Sequence, residues 1–71
     1  MIVYKKLWKL LIDKDIKKTE LSEMANVSMT SIAKLGRNEN VNTEILNKIC
    51  RALDCELDEI MEYVPEEQMT V

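Results

Sequence analysis

The chain has 71 residues, 46% of them apolar, and a formal net charge of −3. A length of this order makes one domain, near the lower limit for folding without disulfide or metal staples. One Gly, one Pro and no run of alternating Val, Ile or Thr argue against an all-β fold. The absence of His and of a Gly-rich phosphate loop, with no nucleophile beside a base, argues against an enzyme and against a cofactor.

The charge is divided unevenly. Residues 1–37 carry eight Lys/Arg against four Asp/Glu, a balance of +4, whereas residues 38–71 carry two against nine, a balance of −7. Local potential governs binding, so a basic half can meet nucleic acid while the acidic half faces away. Cys50 and Cys55 lie five apart. Two thiols without His do not complete a tetrahedral zinc site, and they read as reduced cysteines of a cytoplasmic protein. The apolar run Leu7–Ile12 is too short to span a bilayer, and no secretory leader is recognised.

Five helices are predicted. The first runs from about Tyr4 to Lys14, with Tyr4, Leu7, Trp8 and Leu11 on one face. Trp8 is read as a core residue, and Lys5, Lys6 and Lys9 as a solvated face. The second runs from about Lys18 to Ala25, with Leu21, Met24 and Ala25 inward. Thr19 is its better cap by chemistry, whereas motif spacing puts the cap near Lys17. Asn26 tolerates the left-handed conformation that ends a helix. Ser28 caps a third helix, about Met29 to Leu35, which Gly36 stops. Asn42 caps the fourth, about Thr43 to Leu53, with Ile45, Leu46, Ile49, Cys50 and Leu53 on one face. A short fifth helix from Leu57 to about Val64 turns Leu57, Ile60, Met61 and Val64 inward, and Pro65 ends it. Residues 1–65 thus form the domain, and 66–71 a frayed tail.

The second and third helices have the spacing of a helix-turn-helix. Counted from Lys18, the fourth, eighth, tenth, fifteenth and eighteenth positions are Leu21, Ala25, Val27, Ile32 and Leu35. All five must be apolar for the two helices to pack. The fifth, Ser22, must be small where the helices approach. The ninth, Asn26, must accept the turn.

On these residues, the stretch IKKTELSEMANVSMTSIAKLGRNENVNTEILNKICRALDCELDEIM, residues 16–61, resembles the Cro/phage-repressor class of helix-turn-helix proteins, small stand-alone bacterial regulators among them. The resemblance implies an all-α, five-helix, lambda-repressor-like fold. Where the class usually has Gly, this chain has Asp15, Asn26 and Asp54, the non-Gly types that best tolerate positive φ. Many members pair an Arg on the first helix with a Glu ending the third; Leu11 and Gly36 stand there, so both charges are gone together. Glu56 replaces the usual Ser or Thr cap of the fifth helix.

The resemblance further implies a sequence-specific DNA-binding transcriptional regulator, a repressor, with the 29–35 helix in the major groove. Its early residues Met29 and Thr30, and Lys34 one turn on, are the expected base contacts. Phosphate contacts are expected from Lys17, Lys18, Ser28, Ser31, Arg37 and the helix N-terminus at Asn42. A homodimer on palindromic double-stranded DNA is expected through the fifth-helix region, Met61, Tyr63 and Val64, with Met69 a further candidate. The same residues could instead close the core, and Ile2-Val3 could pair as a short strand. The competing functional reading is a protein-interaction module on the same fold, antitoxin-like or an anti-regulator.

Overall fold

A computed structural model describes residues 1–65. A two-residue strand, β1 (Ile2–Val3), leads into α1 (Lys5–Lys14), α2 (Lys18–Ala25), α3 (Met29–Gly36) and α4 (Thr43–Leu53). A single 3-10 turn at Leu57–Glu59 then connects to β2 (Glu62–Tyr63). The expectations for 66–71 and Met69 lie outside the described residues.

All four helices end by the same device. Asp15, Asn26, Asn38 and Asp54 have φ of 57°, 57°, 57° and 52°. Each is followed by a residue whose N–H bonds back five residues: Ile16 to Leu11 at 2.9 Å, Val27 to Ser22 at 3.1 Å, Glu39 to Lys34 at 2.9 Å and Cys55 to Cys50 at 3.0 Å. This is the Schellman closure, built on Asx residues instead of glycine. It confirms three expected sites and corrects the fourth. Gly36 does not stop α3: it has no positive φ and lies inside the helix, and the left-handed residue is Asn38.

Apart from α1, whose N-cap Tyr4 makes no side-chain cap bond, the starts of the helices and of the 3-10 turn are of two kinds. Ser28 Oγ accepts the Ser31 N–H at 3.2 Å, and Asn42 Oδ1 accepts the Ile45 N–H at 3.1 Å, as expected of N-caps. At Lys17 and Glu56 the side chain does not cap. The carboxylate three residues on does so: the Lys17 N–H donates to Glu20 at 3.0 Å and the Glu56 N–H to Glu59 at 2.7 Å. The motif spacing, not the Thr19 alternative, thus locates the start of α2.

The core joins α1 (Leu7, Leu11), the α2–α3 unit (Leu21, Ala25, Val27, Ile32, Leu35), α4 (Leu46, Ile49, Leu53), and Tyr4 and Ile60 at the two ends. All five apolar positions of the helix-turn-helix spacing are buried. Ser22, the small position, donates its hydroxyl to the Val27 carbonyl at 2.6 Å and ties the turn to α2. Two inward assignments fail: Met24 and Leu57 are exposed, whereas Trp8, like Ile45, Cys50 and Met61, is half-buried against the core. Each sits at the margin of its apolar stripe, where helical periodicity does not separate core from rim.

The predicted fifth helix is absent, so the fold has four helices and not five. Its first turn forms, with Ile60 and Met61 both bonding back to the Leu57 carbonyl at 3.1 Å. Beyond it, Glu62 and Tyr63 pair antiparallel with Val3 and Ile2. Pro65 leaves room for barely two turns, too few to repay helix nucleation, while β1 offers ready backbone partners. The Asn38 side chain accepts the Tyr4 N–H at 3.1 Å, and the Lys6 ammonium donates to the Asp58 carbonyl at 3.0 Å, so the start of α1 is tied to the end of α3 and to the 3-10 turn. No helix among the described residues is long and apolar enough to cross a membrane.

Candidate nucleic-acid interface

The α3 helix has two sides. Ile32 and Leu35 are buried at 1% and 0% exposure. Met29 (46% exposed), Thr30, Ala33 and Lys34 face solvent. The three expected base contacts therefore lie together on one outward face, and Met29 is not a core residue. Ala33 completes this face at i+4 from Met29; helical spacing could have found it. Its lack of a long side chain lets the backbone approach closely, and its methyl can touch a thymine methyl.

The start of α3 carries no carboxylate in its first turn, so the positive end of its dipole is not opposed from within the helix. Ser28 and Ser31 lie there, their hydroxyls 3.2 Å apart with Ser28 donating. Asn42 is different. Its side chain is committed to capping α4, and Glu44 adds negative charge to the same turn. That placement weakens the α4 N-terminus as an anion site.

The expected phosphate-binding cations are all exposed, but two are already engaged. The Lys18 ammonium sits 4.6 Å from the centre of the Trp8 ring, a cation–π contact that orients the lysine. Lys17, Lys18 and Thr19 border an apolar groove lined by Trp8, Leu11, Ile12 and Ile16. The Arg37 guanidinium forms an ion pair with Glu39. That hydrogen bond, and the attraction behind it, hold Arg37 above its ordinary pKa and Glu39 below its own; Lys34 lowers Glu39 further. Glu39 therefore acts on both cations of the α3 C-terminal end, a role that sequence spacing did not reveal. Among the described residues no cluster of three or more His, Cys, Asp or Glu is placed to hold a metal ion.

A model of the Cro/C1-type HTH DNA-binding domain matches residues 6–66. The chain belongs to the Cro/C1-type helix-turn-helix family. Among Cro/C1-type relatives, an uncharacterised HTH-type transcriptional regulator of Bacillus subtilis (strain 168), YozG, is 39% identical over 51 residues, covering 69% of this chain. The match spans 61% of that relative's length. The crystal structure of the transcriptional regulator VanUg superposes with a TM-score of 0.85 at 52% identity, covering 90% of this chain and 85% of that one. The Cro/C1-type resemblance read from residues 16–61 thus stands, with the helix count corrected.

Proposed function

We propose that this protein is a sequence-specific transcriptional repressor that lays α3 in the major groove of double-stranded DNA. The observation that carries the reading is the sidedness of α3: its apolar residues are consumed by packing, leaving Met29, Thr30, Ala33 and Lys34 outward. Thr30 and Lys34 supply hydrogen bonds to base edges, while Met29 and Ala33 supply apolar contact. Lys17 and Lys18 bracket the groove from the start of α2, and Ser28, Ser31 and Arg37 hold phosphates on either side of α3. Asn42 is a weaker member of this set, for the reason given above. Bound to promoter DNA, such a protein obstructs the polymerase by occupancy and needs no catalysis or cofactor. A two-fold pair of copies, meeting through the segment of Met61, Tyr63 and Val64, doubles the length of sequence read.

The test is a gel shift against genomic fragments at low salt, followed by selection from a random pool. Lys34→Ala is expected to cost about 1–3 kcal/mol of affinity, roughly 5- to 150-fold, and to relax the preference at one base position. Retention of full affinity and selectivity in a Thr30→Ala, Lys34→Ala double variant would remove α3 from the groove. Failure to bind any fragment would instead favour a protein-interaction module on the same fold.

A further inference from the structure

The Schellman closure brings the residues at its two ends together. Its four occurrences pair Leu11 with Ile16, Ser22 with Val27, Lys34 with Glu39, and Cys50 with Cys55. The last pair sets two thiols side by side. The Cys55 N–H donates to the Cys50 carbonyl at 3.0 Å. The covalent bonds on either side of that contact keep the two Cα atoms within about 7 Å. The bend at the carbonyl carbon shortens the span further, into the about 4.4–6.8 Å that a disulfide needs. The two thiols also meet side chain to side chain. Both are free and half-buried. They line a groove along α4 together with Glu44, Asp54 and Glu56, where Arg51 is the one cation among the lining residues.

We propose that Cys50 and Cys55 form a reversible oxidation site, which closes to an intramolecular disulfide when the protein meets hydrogen peroxide. The thiolate of one cysteine attacks a peroxide oxygen. The O–O bond breaks, a sulfenic acid forms and the other oxygen leaves as water. The second thiolate attacks the sulfenic sulfur. The S–S bond forms, the S–O bond breaks and a second water leaves. The two sulfurs give up two electrons, the peroxide accepts them, and both thiol protons end in water. A small dithiol reverses the step by exchange. The surroundings suit this oxidant. Burial is the first cause that raises both thiols; Glu56 and Glu59 raise Cys50 further and Glu59 raises Cys55, against a smaller opposing effect of Lys14 on Cys55. The same carboxylates repel an anionic oxidant and leave a small uncharged one unopposed. Raised thiols slow the attack at neutral pH and quicken it in alkali. The bridge fixes the stop of α4 and the chain that enters the 3-10 turn. It involves no residue of α3, so it stands apart from the DNA-binding reading.

The test treats the full chain with equimolar hydrogen peroxide in mild alkali and then digests it with trypsin. Trypsin cuts after Arg51, between the two cysteines. The peptides carrying Cys50 and Cys55 are expected to emerge joined, lighter than their sum by two hydrogens, and to separate on reduction. The undigested protein is expected to keep the mass of one chain. Its urea midpoint is expected to rise on oxidation, because the bridge restricts the unfolded chain, and to return with dithiothreitol, which leaves methionine sulfoxide in place. By reciprocity the bridge is expected to be about 10- to 100-fold harder to reduce in the folded chain than in the chain unfolded by urea. Cys50→Ser and Cys55→Ser are each expected to lose the joined peptides and the shift in midpoint. Should either fail to fold, the wild-type chain in and out of urea still decides. Bridges between two chains overturn the inference, as does sulfinic acid at either cysteine without joined peptides. So does a midpoint that falls on oxidation, or a bridge reduced as readily in the folded chain as in the unfolded one.

Discussion

At the residue scale, the informative positions are those where a side chain does something other than its neighbours imply. Gly36 has neither a positive φ nor any atom within 4 Å of where a Cβ would stand. It bears the backbone entropy of glycine with no conformational need for it. Gly36→Ala is expected to stabilise the fold by about 0.5–1 kcal/mol, read as a higher urea midpoint with an unchanged slope. Asn38 ends α3 in its place, since it takes the left-handed turn and also holds the Tyr4 N–H. Glu39 is the other such residue. Paired with Arg37 in solvent, it contributes little to stability, but it must be displaced before Arg37 meets a phosphate. Glu39→Gln is expected to tighten binding to non-specific DNA about 3- to 10-fold at low salt, as one more cation becomes available. Titration against a labelled random duplex checks it; unchanged affinity would mean that Arg37 never reaches the backbone.

At the element scale, the cysteines find their explanation in the end of α4. With Asp54 left-handed, Cys50 and Cys55 occupy the two positions that the Schellman closure brings into apolar contact, as Leu11 and Ile16 do at the end of α1. They act there as small hydrophobes, and the structure holds them as free thiols. Burial is the main cause that raises both thiols, Cys55 to about 11, and burial also raises the Tyr4 hydroxyl. Groups whose folded pKa is raised stabilise the fold below their unfolded pKa and lose that contribution as pH climbs through the folded value. Stability is therefore expected to decline from about pH 9 to 11, the window between an ordinary thiol and the raised one. Urea midpoints across that range in reductant are the measurement. Cys55→Ala, lacking the titrating thiol, is expected to flatten the slope.

The helices were legible because helices are local. The stripes Leu7–Leu11 and Leu46–Ile49–Leu53, the caps Ser28 and Asn42, and the Asx stops at Asp15, Asn26 and Asp54 each involve residues within about one turn of one another. The outward positions of α3 were legible for the same reason: once Ile32 and Leu35 face inward, Met29, Thr30 and Lys34 have only the other side. What escaped was non-local or at a stripe margin. The Lys18 contact with Trp8 and the engagement of Lys34 and Arg37 by Glu39 depend on the way in which separate elements or a loop fold back, which periodicity does not encode.

At the scale of the whole molecule, the uneven charge governs how the protein meets DNA. Net charge is −3, yet the residues up to Arg37 carry the excess of cations. If Lys17, Lys18 and Arg37 each neutralise one phosphate, the logarithm of affinity is expected to fall with the logarithm of salt at a slope of about −2.7 per copy. The acidic second half adds repulsion at long range, so weak non-specific binding should vanish first as salt rises. Fluorescence anisotropy from about 50 to 200 mM salt reads the slope directly. A slope near zero would be incompatible with phosphate contacts from this set.

The amino-acid order by itself determined four helices, their caps and stops, the packing of the helix-turn-helix and the outward face of α3. All of these are settled by contacts between neighbours in the chain. The tertiary structure decided the fate of the segment after Leu57. Its spacing of Leu57, Ile60, Met61 and Val64 suits a helix, but a strand exists only by virtue of its partner. That partner, Ile2–Val3, lies at the far end of the sequence and becomes adjacent only after α1 and α4 have closed on one core.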